Sequence, residues 1–516
     1  MGEWANGRMI RPYQCIIMNV IYDYIVVGGG TSGVIVAVRL AQAGATVCMI
    51  EAGPSGEHDP RILNYRQWSS LLGTEYDYDY PIEPQPHGNS TIRHSRARVL
   101  GGCSSHNSVI AIRASDLDMR TWERRGAAGW GPAGTRPFFE RVFEQVHTEL
   151  TPPINACAVD FMRAAAEAGY PQIDVQNYGF GAGAAWLPLN VRGETRQSSA
   201  VAYLFEPGPP AGLTVLSETQ VYRVLINDAG EATGVATSRG PIGAAREVIL
   251  CAGAFDSPRL LMLSGIGPHA HLRSVGLPMK VDLPAVGAHL QDHIETLVMW
   301  EASRSVPKAS SQHWANGLFA RTSAAAEDFD TMMHFGTERY YVDFAAIGYA
   351  VEQAEHVFCL TPNVARPQSA GLVRLRSAEP SDPPLIDPRY FSDAEGYDER
   401  VLVEGIRIAR RIAEQPALKG WVGRELAPGP ALQSDAELGR YARLVSNTVY
   451  HPAGSCRMGA ADDRDAVVDP ALRVRGVGRL RVADASIFPT MIGVNLCMTV
   501  MMIGEKCADI IMASSS

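Results

Sequence analysis

YDYIVVGGGTSGVIVAVRLAQAGATVCMIEAGP, residues 22–54, sets out a strand, a glycine turn, a helix, a second strand and an acid, in that order. Tyr24–Val27 is a short apolar, β-rich run and reads as a buried parallel strand. Gly28, Gly30 and Gly33 follow in GxGxxG spacing. Val34–Ala43 reads as a helix stopped by Gly44, and the apolar run Thr46–Ile50 ends at Glu51. Each glycine has its own task. Gly28 permits the tight turn, Gly30 lets backbone approach a pyrophosphate, and Gly33 lets the helix pack on the strand. The pyrophosphate then sits at a helix N-terminus, where N–H groups and the helix dipole favour an anion. Glu51, at a strand end, suits the two hydroxyls of an adenosine ribose. The unit predicts a dinucleotide-binding domain and leaves NAD and FAD both open.

Working outward, 516 residues suffice for two or more domains, and 46% hydrophobic with 20% charged residues is an ordinary globular balance. A formal net charge of −9 argues against nucleic acid as a partner and gives no hint of binding to an anionic membrane. The nine cysteines are scattered, odd in number and never in CxxC spacing. That pattern fits reduced thiols better than a disulfide framework or a zinc site, so no metal is expected. Met1–Asn19 lacks a clear signal peptide and reads as a loose extension, and no apolar run reaches membrane-spanning length. A cytoplasmic protein, with a homodimer as its assembly, is the expectation.

Along the rest of the chain, Tyr76–Asn89 reads as a loop-rich excursion of the kind that covers a ligand. Asp116–Arg125, Phe138–His147 and the amphipathic Ala158–Tyr170 read as helices. Val215–Ala229 and Ala232–Ser238 read as strands joined by a turn at Asn227–Gly230, and Glu247–Leu250 as a further strand. Tyr397–Glu414 reads as a helix, and the chain from Leu480 as a strand, a loop and a C-terminal helix. No internal repeat is present. The pattern predicts a discontinuous cofactor domain interrupted by a substrate domain.

Further strings carry a resemblance: HSRARVLGGCSSHNS (His94–Ser108), GAFDSPRLLMLSGIGP (Gly253–Pro268), LQDH (Leu290–His293), YHPAGSCRMG (Tyr450–Gly459) and LRVADAS (Leu480–Ser486). In this order and spacing, the chain beyond residue 20 resembles the glucose–methanol–choline oxidoreductases. GGCSSHNS, LTPNV (Leu360–Val364), DPRYF (Asp387–Phe391) and VMMIGE (Val500–Glu505) resemble the choline oxidase branch of that family. The resemblance implies FAD as the dinucleotide. It also implies an α/β fold, a Rossmann-like FAD-binding domain beside a substrate domain with an antiparallel sheet. The expected segments are 20–150, 201–293 and 451–516 for the FAD domain and 151–200 and 294–450 for the substrate domain.

Alcohol oxidation needs a base for the hydroxyl proton, and histidine suits because it is readily kept neutral near pH 7. By itself His451 could equally be a satisfied core histidine; the resemblance assigns it as the base. Asn495 stands where relatives carry the catalytic partner, although Leu496 and Cys497 replace the Pro-Asn that follows in the choline oxidase pattern. The resemblance further implies a covalent histidyl-FAD through His106 and a substrate contact from Ser108. It places Thr31 and Ser32 at the pyrophosphate turn, Val99 and Asn107 near the ring, and Val221 at the adenine. Asp484 and Ala485 are expected at the pyrophosphate and ribityl chain, with Asn495 also against the flavin. Cys456 and Cys497 read as packing.

Choline-oxidising relatives need a carboxylate against the trimethylammonium, aromatic walls and a second active-site histidine. Val306–Phe319 contains no acid, and Ile347 stands where that histidine is expected, while Trp68 and Tyr450 remain as aromatic walls. The expectation is therefore a pocket for a neutral aromatic, heteroaromatic or apolar primary alcohol, oxidised to the aldehyde with oxygen as acceptor and hydrogen peroxide as product. An acid from elsewhere, such as Glu338 or Asp343, is the stated way for this to fail. Two alternatives stay open: a dehydrogenase passing electrons to a quinone or other carrier, and a hydroxynitrile lyase on the same fold.

Overall fold

A computed structural model describes residues 21–307, 314–337 and 343–515, together with a pairing of Trp4–Ala5 with Arg8–Met9. The remainder of Met1–Asn19, the Lys308–His313 part of the acid-free stretch and Glu338 lie outside the described residues. Two sheets carry the architecture. The first has seven strands in the order Leu213–Leu216, Val47–Ile50, Ile21–Val27, Gly240–Leu250, Ala232–Thr237, Val221–Ile226, with Leu480–Val482 paired to the central Gly240–Leu250. Its parallel part is buried on both faces, as the unbroken apolar runs require.

The glycine turn fits this sheet by close approach. Gly28 has a φ of +97°, and a Cβ there would lie 2.5 Å from the Cys251 carbonyl oxygen. A Cβ on Gly33 would lie 2.0 Å from the Gly28 carbonyl oxygen, so the helix Gly33–Gln42 can sit on its strand only without a side chain there. The C-terminal helix Cys497–Ser515 closes the domain by packing on that same helix. The salt bridge from Arg39 to Glu505, at 2.8 Å, locks the pair, and the Tyr203 hydroxyl donates to Glu505 at 2.9 Å.

The second sheet has eight strands, in the order Val422–Ala427, Val298–Ala302, Val357–Val364, Thr331–Gly336, Trp314–Ala320, Gly183–Trp186, with Ile294–Glu295 and Asn447–Thr448 completing it. All its pairings are antiparallel, and the helix Tyr397–Ala413 covers one face.

Three elements differ from the expectation. Val215–Ala229 is two strands, because the intervening chain turns to bond the Glu51–Gly53 segment: Glu218 N–H donates to Gly53 O at 2.8 Å and Thr219 N–H to Glu51 O at 2.9 Å. The strand ending at Leu250 starts at Gly240, since its first half pairs antiparallel with Ala232–Thr237 and its second half lies in the parallel sheet. The helix expected from Phe138 starts at Pro132, a residue suited to the first helical position.

Candidate active site

A single cavity is lined by the glycine turn and by the histidine loop alike, so residues of both sheets meet in it. Gly28, Gly30, Thr31, Ser32, Glu51, Val221, Asp484 and Ala485 line its dinucleotide part. The helix that starts at Gly33 has no side-chain cap. The Ser32 hydroxyl donates instead to Ala483 O at 2.5 Å and that of Thr31 to Gly101 O at 3.4 Å. Backbone N–H groups are thus what this turn presents to a phosphate. Glu51 accepts from Gly29 N–H at 3.1 Å and Gly53 N–H at 2.8 Å, and burial pushes its carboxyl up to about 7. Asp484 accepts from Gly253 N–H at 2.8 Å and from Ser257 Oγ at 2.5 Å, tying the C-terminal segment to the helix Gly253–Leu263. A glycine cradle, an uncapped helix N-terminus and a buried acid at the strand end together fit an adenine dinucleotide.

Two of the expected cofactor residues lie off the cavity. Gly33 serves the helix–strand packing described above. Val99 is fully buried in a small cluster with Ile62, Leu71 and Tyr76, and its carbonyl accepts from Gly102 N–H at 2.9 Å, so it anchors the loop behind the site. His106, Asn107 and Ser108 line the cavity. Arg196, itself fully buried, holds this loop by donating to Asn107 O at 2.6 Å and to Asn107 Oδ1 at 2.8 Å. Ser95 Oγ donates to Asp77 Oδ2 at 2.7 Å and lies 3.2 Å from His106 Nε2. Its proton is thus committed, and it accepts from His106. Burial lowers the His106 imidazole to about 4, which keeps the ring neutral with one lone pair.

His451 is presented by a strained turn. Tyr450 has a φ of +63°, held by Thr448 Oγ1 accepting from its N–H at 2.7 Å and by Arg96 donating to its carbonyl at 2.6 Å. Asp292 then accepts from His451 N–H at 2.9 Å, and also from Thr448 Oγ1 and the Tyr390 hydroxyl, each at 2.6 Å. Burial, then the neighbouring His293, His334 and Arg96, hold the His451 imidazole well below the ordinary histidine range. Asn495 lines the same cavity, and its side chain hydrogen-bonds the ring of His334. Burial raises the Cys497 thiol to about 12 and the Cys456 thiol well above its ordinary value, so neither is an activated nucleophile. Among the described residues no group of side chains is arranged to hold a metal.

The alcohol side of the cavity corrects the sequence reading. Trp68 and Tyr450 line it as expected, joined by Trp314. Ile347 does not; it packs against the second sheet's core, away from the lining residues. A second histidine is present after all: His334, on the strand Thr331–Gly336, lines the cavity, and burial lowers its imidazole to about 4 against a hydrogen bond with Asn495. The pocket is also not uncharged. Glu295, on the short strand Ile294–Glu295, is 5% exposed and lines it, and its charge adds to burial in raising the Tyr450 phenol to about 12. Asp343, one of the acids considered from sequence, is not a lining residue, and Glu338, the other, lies outside the described residues. The signal missed was Glu295 itself, two residues past the LQDH string that ends at His293.

Known proteins agree with this geometry. The family model described as GMC oxidoreductase matches residues 22–295 with its N-terminal part and 367–504 with its C-terminal part. The chain belongs to the GMC oxidoreductase family. Its cofactor is FAD, and it is an oxidoreductase acting on CH–OH donors. It is 44% identical to choline oxidase from Arthrobacter globiformis, over 95% of this chain and 94% of that one. It is 33% identical to the mitochondrial choline dehydrogenase of Homo sapiens, over 95% and 89%. Among solved structures it resembles pyridoxine 4-oxidase from Mesorbium loti with a TM-score of 0.88 and 30% identity, over 94% of this chain and 98% of that one.

Proposed function

We propose that this GMC oxidoreductase oxidises an alcohol carrying a quaternary ammonium head, choline or a close analogue, to the aldehyde, with oxygen as the final acceptor. The observation that carries this reading is Glu295, a carboxylate 5% exposed in a cavity walled by Trp68, Trp314 and Tyr450. A permanent cation meets both the carboxylate and the ring faces, and each aromatic contact adds about 0.5–2 kcal/mol. The relatives named for choline support the same substrate.

FAD, when bound, supplies the hydride acceptor, and the chain supplies the rest. His451, kept neutral by burial, takes the hydroxyl proton. Asn495, His334 and Ser108 line the same cavity and would contact the oxygen from which it leaves. Asn495 hydrogen-bonds the His334 ring, and the two side chains supply hydrogen-bonding groups beside the base. His106, neutral and lining the cavity, is the residue that would hold the flavin covalently.

A neutral heteroaryl methanol is the competing substrate, favoured by the near-complete overlap with pyridoxine 4-oxidase. Steady-state assays of choline, benzyl alcohol and pyridoxine at one pH and oxygen level, with peroxide recorded, separate the two. Choline should lead in kcat/KM by at least about a hundredfold, some 2.7 kcal/mol in transition-state binding. Equal or faster turnover of the neutral alcohols overturns the cationic reading. Flavin reduction by choline without peroxide would move the enzyme to the dehydrogenases.

A further inference from the structure

Next to the proposed base lies a histidine with no role in the reading so far. His293 is fully buried and is absent from the cavity lining. Its Nδ1 is 2.9 Å from His451 Nδ1, and the two rings are nearly perpendicular, at 82°. Its other nitrogen, Nε2, faces two backbone carbonyls, Ala365 O at 3.0 Å and Ile492 O at 2.9 Å. Carbonyl oxygens only accept, so Nε2 carries a proton. Burial, only partly opposed by those carbonyls, holds the His293 imidazole down to about 4, so the ring is neutral and has a single N–H. Nδ1 is then a lone pair. Across the 2.9 Å contact, His451 Nδ1 must therefore be the donor, which leaves His451 Nε2 as that ring's lone pair.

We propose that His293 is a positioning residue that fixes His451 in its Nδ1–H tautomer, so that Nε2 is the atom that takes the substrate proton. This rests on His451 being the base. As His451 becomes imidazolium, its Nδ1–H keeps the same acceptor, so the bond strengthens as charge develops. A protonated His293 would bring two N–H groups face to face, and its burial prevents that. The carbonyl of Ile492 lies three residues before Asn495, so one side chain sets both the base and the loop bearing its partner. An orienting group that secures the right tautomer is worth up to about 10⁴ in kcat in the serine-protease triad.

The groups around the pair are few. His334 and Arg96 act on His451 from other elements, Asp292 holds its backbone N–H, and Tyr450 precedes it; Asp118 and Arg366 act on His293. Two substitutions divide the role of His293. His293→Gln keeps a donor near Nε2 for the carbonyls and offers nothing at Nδ1. His293→Asn offers an oxygen near Nδ1 and gives up the anchor. The expected result, with the FAD-loaded enzyme, is flavin reduction by choline slowed about a hundredfold or more in His293→Gln and about tenfold in His293→Asn. In His293→Gln the acid limb of the kcat/KM profile should also move to lower pH, because the imidazolium loses its stabilising acceptor. Equal losses in both variants with an unmoved acid limb would show a packing role and overturn the proposal. If either variant fails to fold, ¹⁵N spectra of histidine-labelled wild-type enzyme decide it. A protonated Nε2 on neutral His451 overturns it; a protonated Nδ1 bears it out. A wild-type rate in His451→Ala would instead sink the base assignment itself.

Discussion

The dinucleotide end of the cavity and its alcohol end are built by opposite rules. The first is made of consecutive residues: the turn Gly28–Gly33, the loop bearing His106, Asn107 and Ser108, and Asp484 with Ala485. Much of what it presents is backbone, so its demand on sequence is for glycine and small residues at fixed spacing. The second is made of single side chains from separate strands: Glu295, Trp314 and His334, with Tyr450 and His451 from a turn. Its demand is for one residue type at one place on each strand, with no run around it. A motif can therefore announce the first end. Only the sheet's register brings the second together.

The largest effect that would test this contrast is at His451. His451→Ala should slow flavin reduction by roughly two to four orders of magnitude, the usual worth of a positioned base, while the protein keeps its flavin. Rapid-mixing absorbance under anaerobic conditions measures it. Reduction near the wild-type rate would mean that the proton leaves to another group, with His334 the next candidate in the cavity.

The two ends also account for what could be read in advance. The Rossmann unit was legible from the spacing of its glycines, and the strings that carry the family resemblance, YHPAGSCRMG among them, were legible because each is contiguous. The single strand expected over Val215–Ala229 failed because its break is set by bonds to Glu51 and Gly53, more than a hundred and fifty residues away. The carboxylate of the cavity was missed for the same reason. A carboxylate was sought in Val306–Phe319, while the one that lines the cavity stands at Glu295, next to a motif already noticed. The second histidine was sought near Ile347 and stands at His334. Those positions are related by strand pairing, as His334 opposite Thr361 and Glu295 opposite Asn363 show.

Glu295→Gln should come next in size and act on the alcohol end alone. Loss of the charge facing a buried cation costs about 2–5 kcal/mol. For choline, kcat/KM should therefore fall by roughly a hundredfold or more, while a neutral alcohol of similar size changes little. The sharpening measurement is the ratio of the two kcat/KM values. A parallel loss for both substrates would make Glu295 a support of the pocket instead of a partner for charge.

At the dinucleotide end, His106→Ala should have a smaller effect on rate and a plain chemical one. Flavin should stay with acid-precipitated wild-type protein and leave with the supernatant from the variant. Mass spectrometry of the peptide containing His106 gives the direct reading. A wild-type flavin that washes out on denaturation would leave His106 as a neutral wall of the cavity.

The smallest effect is expected at Ile347, and it tests the contrast most sharply because sequence comparison placed this residue in the wall. In the structure it is half-buried against the second sheet's core and does not line the cavity, whose walls include His334 and Trp314. Ile347→Ala removes part of one side chain from a site that is not fully buried, so it should cost at most about 1–2 kcal/mol of stability. With no contact to the reacting groups, kcat/KM for choline should stay within about twofold, and the ratio of choline to neutral alcohol should not move. Thermal unfolding and the same steady-state assays read both numbers from one preparation. A shift in substrate preference without a shift in stability would mean that the segment around Ile347 reaches the alcohol during turnover. The alcohol end would then be part of a moving surface, and the register of the sheet alone would not define it.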